Sequence, residues 1–206
     1  MRVIIIGGAS GVGKSSLLQQ HSSIPQINTG TLFKERMKLV DRDTVRSTNW
    51  SDYEDVVAGD LAKSVVIALK AHRVALIDTH FAAKIKARSY RIGLGAPLLS
   101  RIAHEVFAFG DEAKEPIRVA VVLVRCGIHS LLRRRRLDKN RNRELLPSDC
   151  YKALLSNDRY FWDYYHGFLR ASPLSDYGTK CHVVENEDFQ TAQGRLSEVV
   201  QGNTSA

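Results

Sequence analysis

Residues 7–16 read GGASGVGKSS, and within them Gly8, Gly13, Lys14 and Ser15 stand at the spacing G-x-x-x-x-G-K-[ST]. Those residue types at that spacing bind phosphate. Glycines permit backbone angles that turn successive N–H groups inward as a nest for an anion. The run Gly8, Ala9, Ser10, Gly11, Val12, Gly13, Lys14, Ser15 and Ser16 is therefore the candidate cradle for the phosphates of ATP. Lys14 is placed to reach the β and γ phosphates, and the Ser15 hydroxyl to hold Mg²⁺. The context supports this, because an apolar strand-like run precedes the loop and a helical pattern, KSSLLQQ, follows it.

Two further stretches carry chemistry. VALIDTH at 74–80 is an apolar run that ends in an acid. In an open parallel sheet, ligands sit beyond the carboxyl ends of the strands, which puts Asp78 near the loop as a Mg²⁺ ligand or a general base. The other stretch, LLRRRRLDKNRNREL at 131–145, packs seven cations into positions 133–143. At about 100° per helical residue, Ile128, Leu131, Leu132 and Arg135 share one face, and Arg133 and Leu137 lie opposite. Arg135 is therefore expected to point toward the site and Arg133 toward solvent. Past the helix, DKNRNREL has no apolar anchor before Leu145, so a mobile lid holding Arg141 and Arg143 is expected. Phosphoryl transfer is catalysed mainly by positioning and charge neutralisation, and an arginine fork suits phosphate oxygens. Lys14, Arg135, Arg141 and Arg143 form the candidate catalytic set.

These side chains need a frame. Apolar runs of strand length stand at 2–6, 74–77, 117–124 and 181–184, with a shorter one at 25–28. Helical patterns lie between them, which predicts a parallel sheet covered on both faces. Ser51 with Glu54 reads as a capping box for a helix running to about Lys70. Another helix is expected from Ser148 or Asp149, with the aromatics of YFWDYY, 160–165, used for packing. The 206 residues show no repeat or low-complexity linker and are read as one domain. Cys126, Cys150 and Cys181 are scattered without metal spacing, which predicts core packing in a reducing cytoplasm. No signal peptide or membrane-length apolar run is visible. A net charge of +8 favours anionic partners without choosing among them.

The motifs GGASGVGKSS, INTGTLFKE, DRDTVR, LIDTH, YRIGLG and RRRRLDKNRNREL, in that order, resemble those of archaeal-type adenylate kinases from about residue 2 to 185. The resemblance implies an α/β P-loop NTPase fold of the nucleoside-monophosphate-kinase kind. It implies a five-stranded parallel sheet with helices on both faces, a monophosphate-binding segment at about 29–72 and a short lid at about 137–149. It also implies the reaction ATP + AMP ⇌ 2 ADP with Mg²⁺. By position, Gly30, Thr31 and Arg46 fall in the acceptor site, with Thr79 and His80 beside it. Arg135, Arg141 and Arg143 would hold the phosphates during transfer. Asn186, after the last strand, becomes a candidate adenine contact. Members of that family are often trimers, so a homo-oligomer is implied too.

Two other functions compete. A kinase for a different nucleotide, a nucleoside or a small hydroxyl metabolite would use Asp78 as base. A nucleic-acid-associated NTPase would use the positive charge for backbone contacts. The latter ranks last, because the charge is concentrated where a phosphate lid needs it and no nucleic-acid-binding signature is present.

Overall fold

The computed structural model describes residues 1–38, 53–86, 89–93, 95–138, 145–166 and 179–203. Strands β1 (Arg2–Gly7), β2 (Gln26–Asn28), β3 (Val74–Asp78), β6 (Arg118–Arg125) and β7 (Lys180–Glu185) form one sheet in the order β2-β3-β1-β6-β7. Every pairing in it is parallel. The expected five strands are thus present, each within a residue or two of its expected ends.

Alternation along the strands separates two cores. Val3, Ile5, Ala75, Ile77, Val121 and Leu123 face helices α3 (Glu54–His72) and α4 (Ala96–Glu112). Ile4, Ile6, Leu76, Val122 and Val124 face α1 (Lys14–Gln19), α5 (Ile128–Leu137), α6 (Pro147–Tyr160) and α7 (Phe189–Gln201). Burial on both faces is why the strands read as continuous apolar runs. Helix α2 (Thr29–Arg36) follows β2 directly, and its Arg36 forks onto Asp60 of α3.

Three features differ from expectation. Helix α3 starts at Glu54 with Tyr53 as its cap and no side-chain cap bond; Ser51 lies outside the described residues. The acids Glu54 and Asp55 in its first turn complement the helix dipole instead. Helix α6 starts at Pro147, one residue before the expected Ser148 and within the 137–149 span expected for a lid, of which residues 139–144 lie outside the described residues. A second sheet, the antiparallel pair β4 (Ala82–Lys86) and β5 (Ser89–Ile92), emerges right after His80. It returns to the site at Gly93, whose N–H donates to Phe81 O at 3.0 Å.

Helix α6 holds that hairpin. The buried Asn157 side chain accepts from Ala82 N at 3.0 Å and donates to Ala82 O at 3.3 Å, as a paired strand would. Helix α6 continues as a π-helical turn at Phe161–His166, where Phe161 and Tyr165 pack on Phe81 with centroids 5.4 and 4.5 Å away. These aromatics pack, as expected, and Trp162 stays exposed. Cys126 and Cys150 are buried and Cys181 is half-buried, and none of the three is in a disulfide. Burial pushes the Cys126 thiol up to about 11, which makes it inert near neutral pH. Among the described residues, no helix is long and apolar enough to cross a membrane.

Replacing Asn157 by Ala strands both backbone groups of Ala82. The expected loss is about 1–3 kcal/mol of stability in equilibrium urea unfolding, the cost of buried groups left unpaired.

Candidate phosphate site

The loop between β1 and α1 bends where glycine allows it. Gly8, Gly11 and Gly13 have φ of +146°, +100° and +96°, angles that L side chains rarely adopt. A Cβ at Gly8 would also strike the Val124 carbonyl, so the loop packs tightly on β6. At the other end, the Leu17 N–H donates to Gly13 O at 3.1 Å and starts α1.

The buried polar side chains mark the site. Among the described residues they are Lys14, Thr29, Thr79, Arg135, Asn157 and Asn186, and all but Asn157 stand at the loop or the adjoining strand ends or, as Arg135 does from α5, reach the loop. Burying such groups costs free energy unless each is bonded, so their collection here needs a reason.

Lys14 Nζ donates to Gly8 O at 2.9 Å and lies 3.5 Å from Ala9 O. His80 Nδ1 stands 2.8 Å from the same Gly8 carbonyl and 3.4 Å from Lys14 Nζ. A carbonyl only accepts, so His80 must carry its proton on Nδ1 and donate. Two donors from different elements therefore converge on Gly8 O. Asp78 is level with Ile6 across the β1–β3 pairing, and the Thr79 N–H donates to Ile6 O at 2.9 Å.

Asn28 joins the strand end to α2. Its Nδ2 donates to Asp78 Oδ2 at 2.7 Å, and its Oδ1 accepts from Thr31 N at 3.0 Å as the cap of α2. Thr29 Oγ1 lies 3.0 Å from Thr79 Oγ1. Gly30, Thr31, Thr79 and His80 are thus brought to one side of the loop, at the start of α2 and the end of β3.

The basic helix behaves as its face predicts. Arg135 is buried with Leu131 and Leu132, while Arg133 and Leu137 are exposed. Arg135 does not reach outward, however. Its Nε and Nη2 donate to Ser10 O at 3.1 and 3.0 Å, and its Nη1 donates to Cys150 Sγ at 3.3 Å. Arg134 was missed by face arithmetic. Its Nη1 donates to Val12 O at 2.8 Å and its Nη2 to Asn186 O at 2.6 Å. Asn186 itself donates from Nδ2 to Val12 O at 2.7 Å and is 1% exposed, which places it behind the loop. Arg46, Arg141 and Arg143 lie outside the described residues.

Glu187 closes the start of α5. It accepts from Ser130 Oγ and from the Gly127 N–H, and these bonds hold its carboxyl below the usual carboxylate range. Arg125 at the end of β6 pairs with Glu185 of β7 and Asp158 of α6.

Oxygen donors of the right kind for Mg²⁺ are present, namely the exposed Ser15 hydroxyl and the Asp78 carboxylate. A hard cation that keeps waters and phosphate oxygens needs only one or two protein ligands. Among the described residues, no cluster of three or more His, Cys, Asp or Glu suits a metal held by protein alone.

No family model and no curated protein matches the chain by sequence. Solved structures do match. A shikimate kinase from Bacteroides thetaiotaomicron superposes over 98% of each chain with TM-score 0.50 and 12% identity. A protein of Thermus thermophilus matches over 100% of this chain and 98% of its own, with TM-score 0.50 and 14% identity. A sugar kinase from a Janibacter species matches over 98% and 95%, with TM-score 0.50 and 11% identity. The chain has the P-loop kinase fold. The expected α/β class, sheet and loop are those of this fold, and at such identities the likeness concerns the fold alone.

Two outcomes test this geometry. Arg133→Ala should leave the unfolding free energy in urea nearly unchanged, within about 0.5 kcal/mol as for ordinary surface changes, whereas Arg135→Ala should lower it clearly. Glu187 has a depressed folded pKa, so its stabilisation is full above the unfolded value near 4.5 and fades as pH falls through the folded value. The stability gap between wild type and Glu187→Gln in urea unfolding should therefore be present at pH 7 and shrink in acid below that value.

Proposed function

We propose that this P-loop protein is a phosphotransferase that moves the γ-phosphoryl group of ATP to a nucleoside monophosphate, AMP by its motif resemblance. The observation that carries this reading is the position of the α2 N-terminus. Asn28 ties it directly to Asp78, one strand from the strand that leads into the phosphate loop. A helix N-terminus offers unpaired N–H groups and partial positive charge, which favour an anionic acceptor over a neutral hydroxyl. A phosphate acceptor is already a nucleophile at neutral pH and needs no strong base.

The same proposal assigns roles to the residues around the loop. Gly30 and Thr31 would bind the acceptor phosphate, with Thr79 and His80 between acceptor and donor. Arg46 joins them by resemblance. Lys14 would exchange its carbonyl partners, Gly8 and Ala9, for β and γ phosphate oxygens. Ser15 and Asp78 would hold Mg²⁺, which supplies charge neutralisation on the transferred group. Arg141 and Arg143 would close over the phosphates, and Arg135 would act on them through the loop it supports. The homo-oligomer implied by resemblance belongs to the same proposal.

A second reading makes Asp78 a general base for a hydroxyl acceptor. Its carboxylate stands at the acceptor side, and two structural neighbours are named for shikimate and sugar rather than for nucleotides. A steady-state assay of ATP against AMP, CMP, UMP, GMP and several nucleosides separates the readings. Turnover is expected with AMP and is to fall by at least about a hundredfold in Lys14→Ala. Asp78→Asn should regain much of its activity at raised Mg²⁺. Turnover of an alcohol with none of the monophosphates, and no rescue by Mg²⁺, would hand the function to the second reading.

A further inference from the structure

Three consecutive residues at the end of β7 and just past it fasten β6, the phosphate loop and α5. Glu185 pairs with Arg125, just before α5. Asn186 donates from its backbone N–H to Arg125 O at 2.8 Å and from its side chain to Val12 O at 2.7 Å. Glu187 caps the start of α5 through Gly127 and Ser130. Arg134 completes the assembly, because its fork spans Val12 O in the loop and Asn186 O in the strap.

We infer that Asn186 and Arg134 are positioning residues for the phosphate loop: they hold the Val12 carbonyl turned away from the ligand, and Asn186 does not read the nucleotide base. The inference rests on the reading of residues 8–16 as the site of the donor phosphates.

Three observations carry it. Val12 O accepts two bonds from two elements distant in sequence, more than an ordinary loop carbonyl needs. Asn186 fills the space behind Gly13 so closely that a Cβ there would collide with Nδ2. No room remains on that side for a base. Third, Asn186 Oδ1 is buried and, among the described residues, has no partner. An unpartnered buried acceptor is a standing cost that a leucine of similar volume would avoid. What the amide supplies in return is its donor. With the carbonyl of residue 12 held back, the following amides of Gly13 and Lys14 are free to face an anion, and the +96° φ at Gly13 is the turn that lets them do so.

The test is equilibrium binding of two probes, MgATP and magnesium tripolyphosphate, measured by calorimetry well below the thermal midpoint. Stability loss alone does not move such a constant. In Asn186→Ala both probes should bind about tenfold more weakly and by the same factor, as for the loss of one of the two hydrogen bonds that hold the Val12 carbonyl. The ATP-to-GTP affinity ratio should not change. Asn186→Asp keeps the volume but loses the donor, and should be no better. Arg134→Lys keeps the charge but loses the planar fork that spans the two carbonyls; it should also weaken both probes, and it keeps the test alive if Asn186 variants fail to fold. Weaker ATP with unchanged tripolyphosphate, or an altered ATP-to-GTP ratio, would overturn the inference in favour of base recognition. Unchanged binding of both probes in folded variants would overturn it too. If wild type binds neither probe, the phosphate-site reading itself fails.

Discussion

A backbone that turns its N–H groups toward an anion must turn its carbonyls the other way, into protein. Each of those carbonyls then needs a donor, because an unpaired buried one costs about as much as a lost hydrogen bond. Here the carbonyls of Gly8, Ser10 and Val12, every second residue of the loop, are met from three directions. Lys14 and His80 serve Gly8, Arg135 serves Ser10, and Arg134 with Asn186 serves Val12. Apart from Lys14 at the start of α1, the donors sit at the end of β3, on α5 and after β7. Strand β1 lies between β3 and β6, so the strand order brings all three to the same loop. Loop chemistry and sheet topology are one requirement seen at two scales.

The choice of arginine on α5 follows from the same constraint. A guanidinium can bridge two carbonyls at once, as Arg134 does between Val12 and Asn186, where an ammonium is a single point charge. Carbonyl partners satisfy its hydrogen bonds without cancelling its charge as a carboxylate would. The loop is thus held from behind by guanidinium groups bonded to carbonyls, and the carboxylate that feels the charge of Arg134 is that of Glu187 at the start of α5. The basic run therefore does two things. Within α5, Arg134 and Arg135 are scaffold, and Arg133 and Arg136 are solvated.

How much of this could be read in the chain differs by element. The strands were legible because burial on both faces leaves an apolar run no polar competitor, as in RVIII and VAVVLV. Arg135 was legible because two leucines on its face fix the helix orientation. Arg134, about 100° away, was not, since its partners are carbonyls whose direction only the folded loop determines. The hairpin at 82–92 left no signal of its own: AAKIK and SYRI are short and cationic, and what holds them is Asn157 from far along the chain. The Ser51–Glu54 signature located its helix, yet such a signature fixes a start only to within a turn.

Asn28 shows how one side chain can couple the two halves of the site. An amide donates and accepts at once, so Asn28 can cap α2 with Oδ1 while its Nδ2 binds Asp78. An aspartate would cap the helix as well but would repel the Asp78 carboxylate, and a serine would cap it without the reach. Helix α2 and the Asp78 carboxylate beside the phosphate loop are therefore joined through a single side chain. On the proposed reading, in which α2 takes the acceptor, that one amide links the placement of the acceptor to the placement of the charge next to the loop.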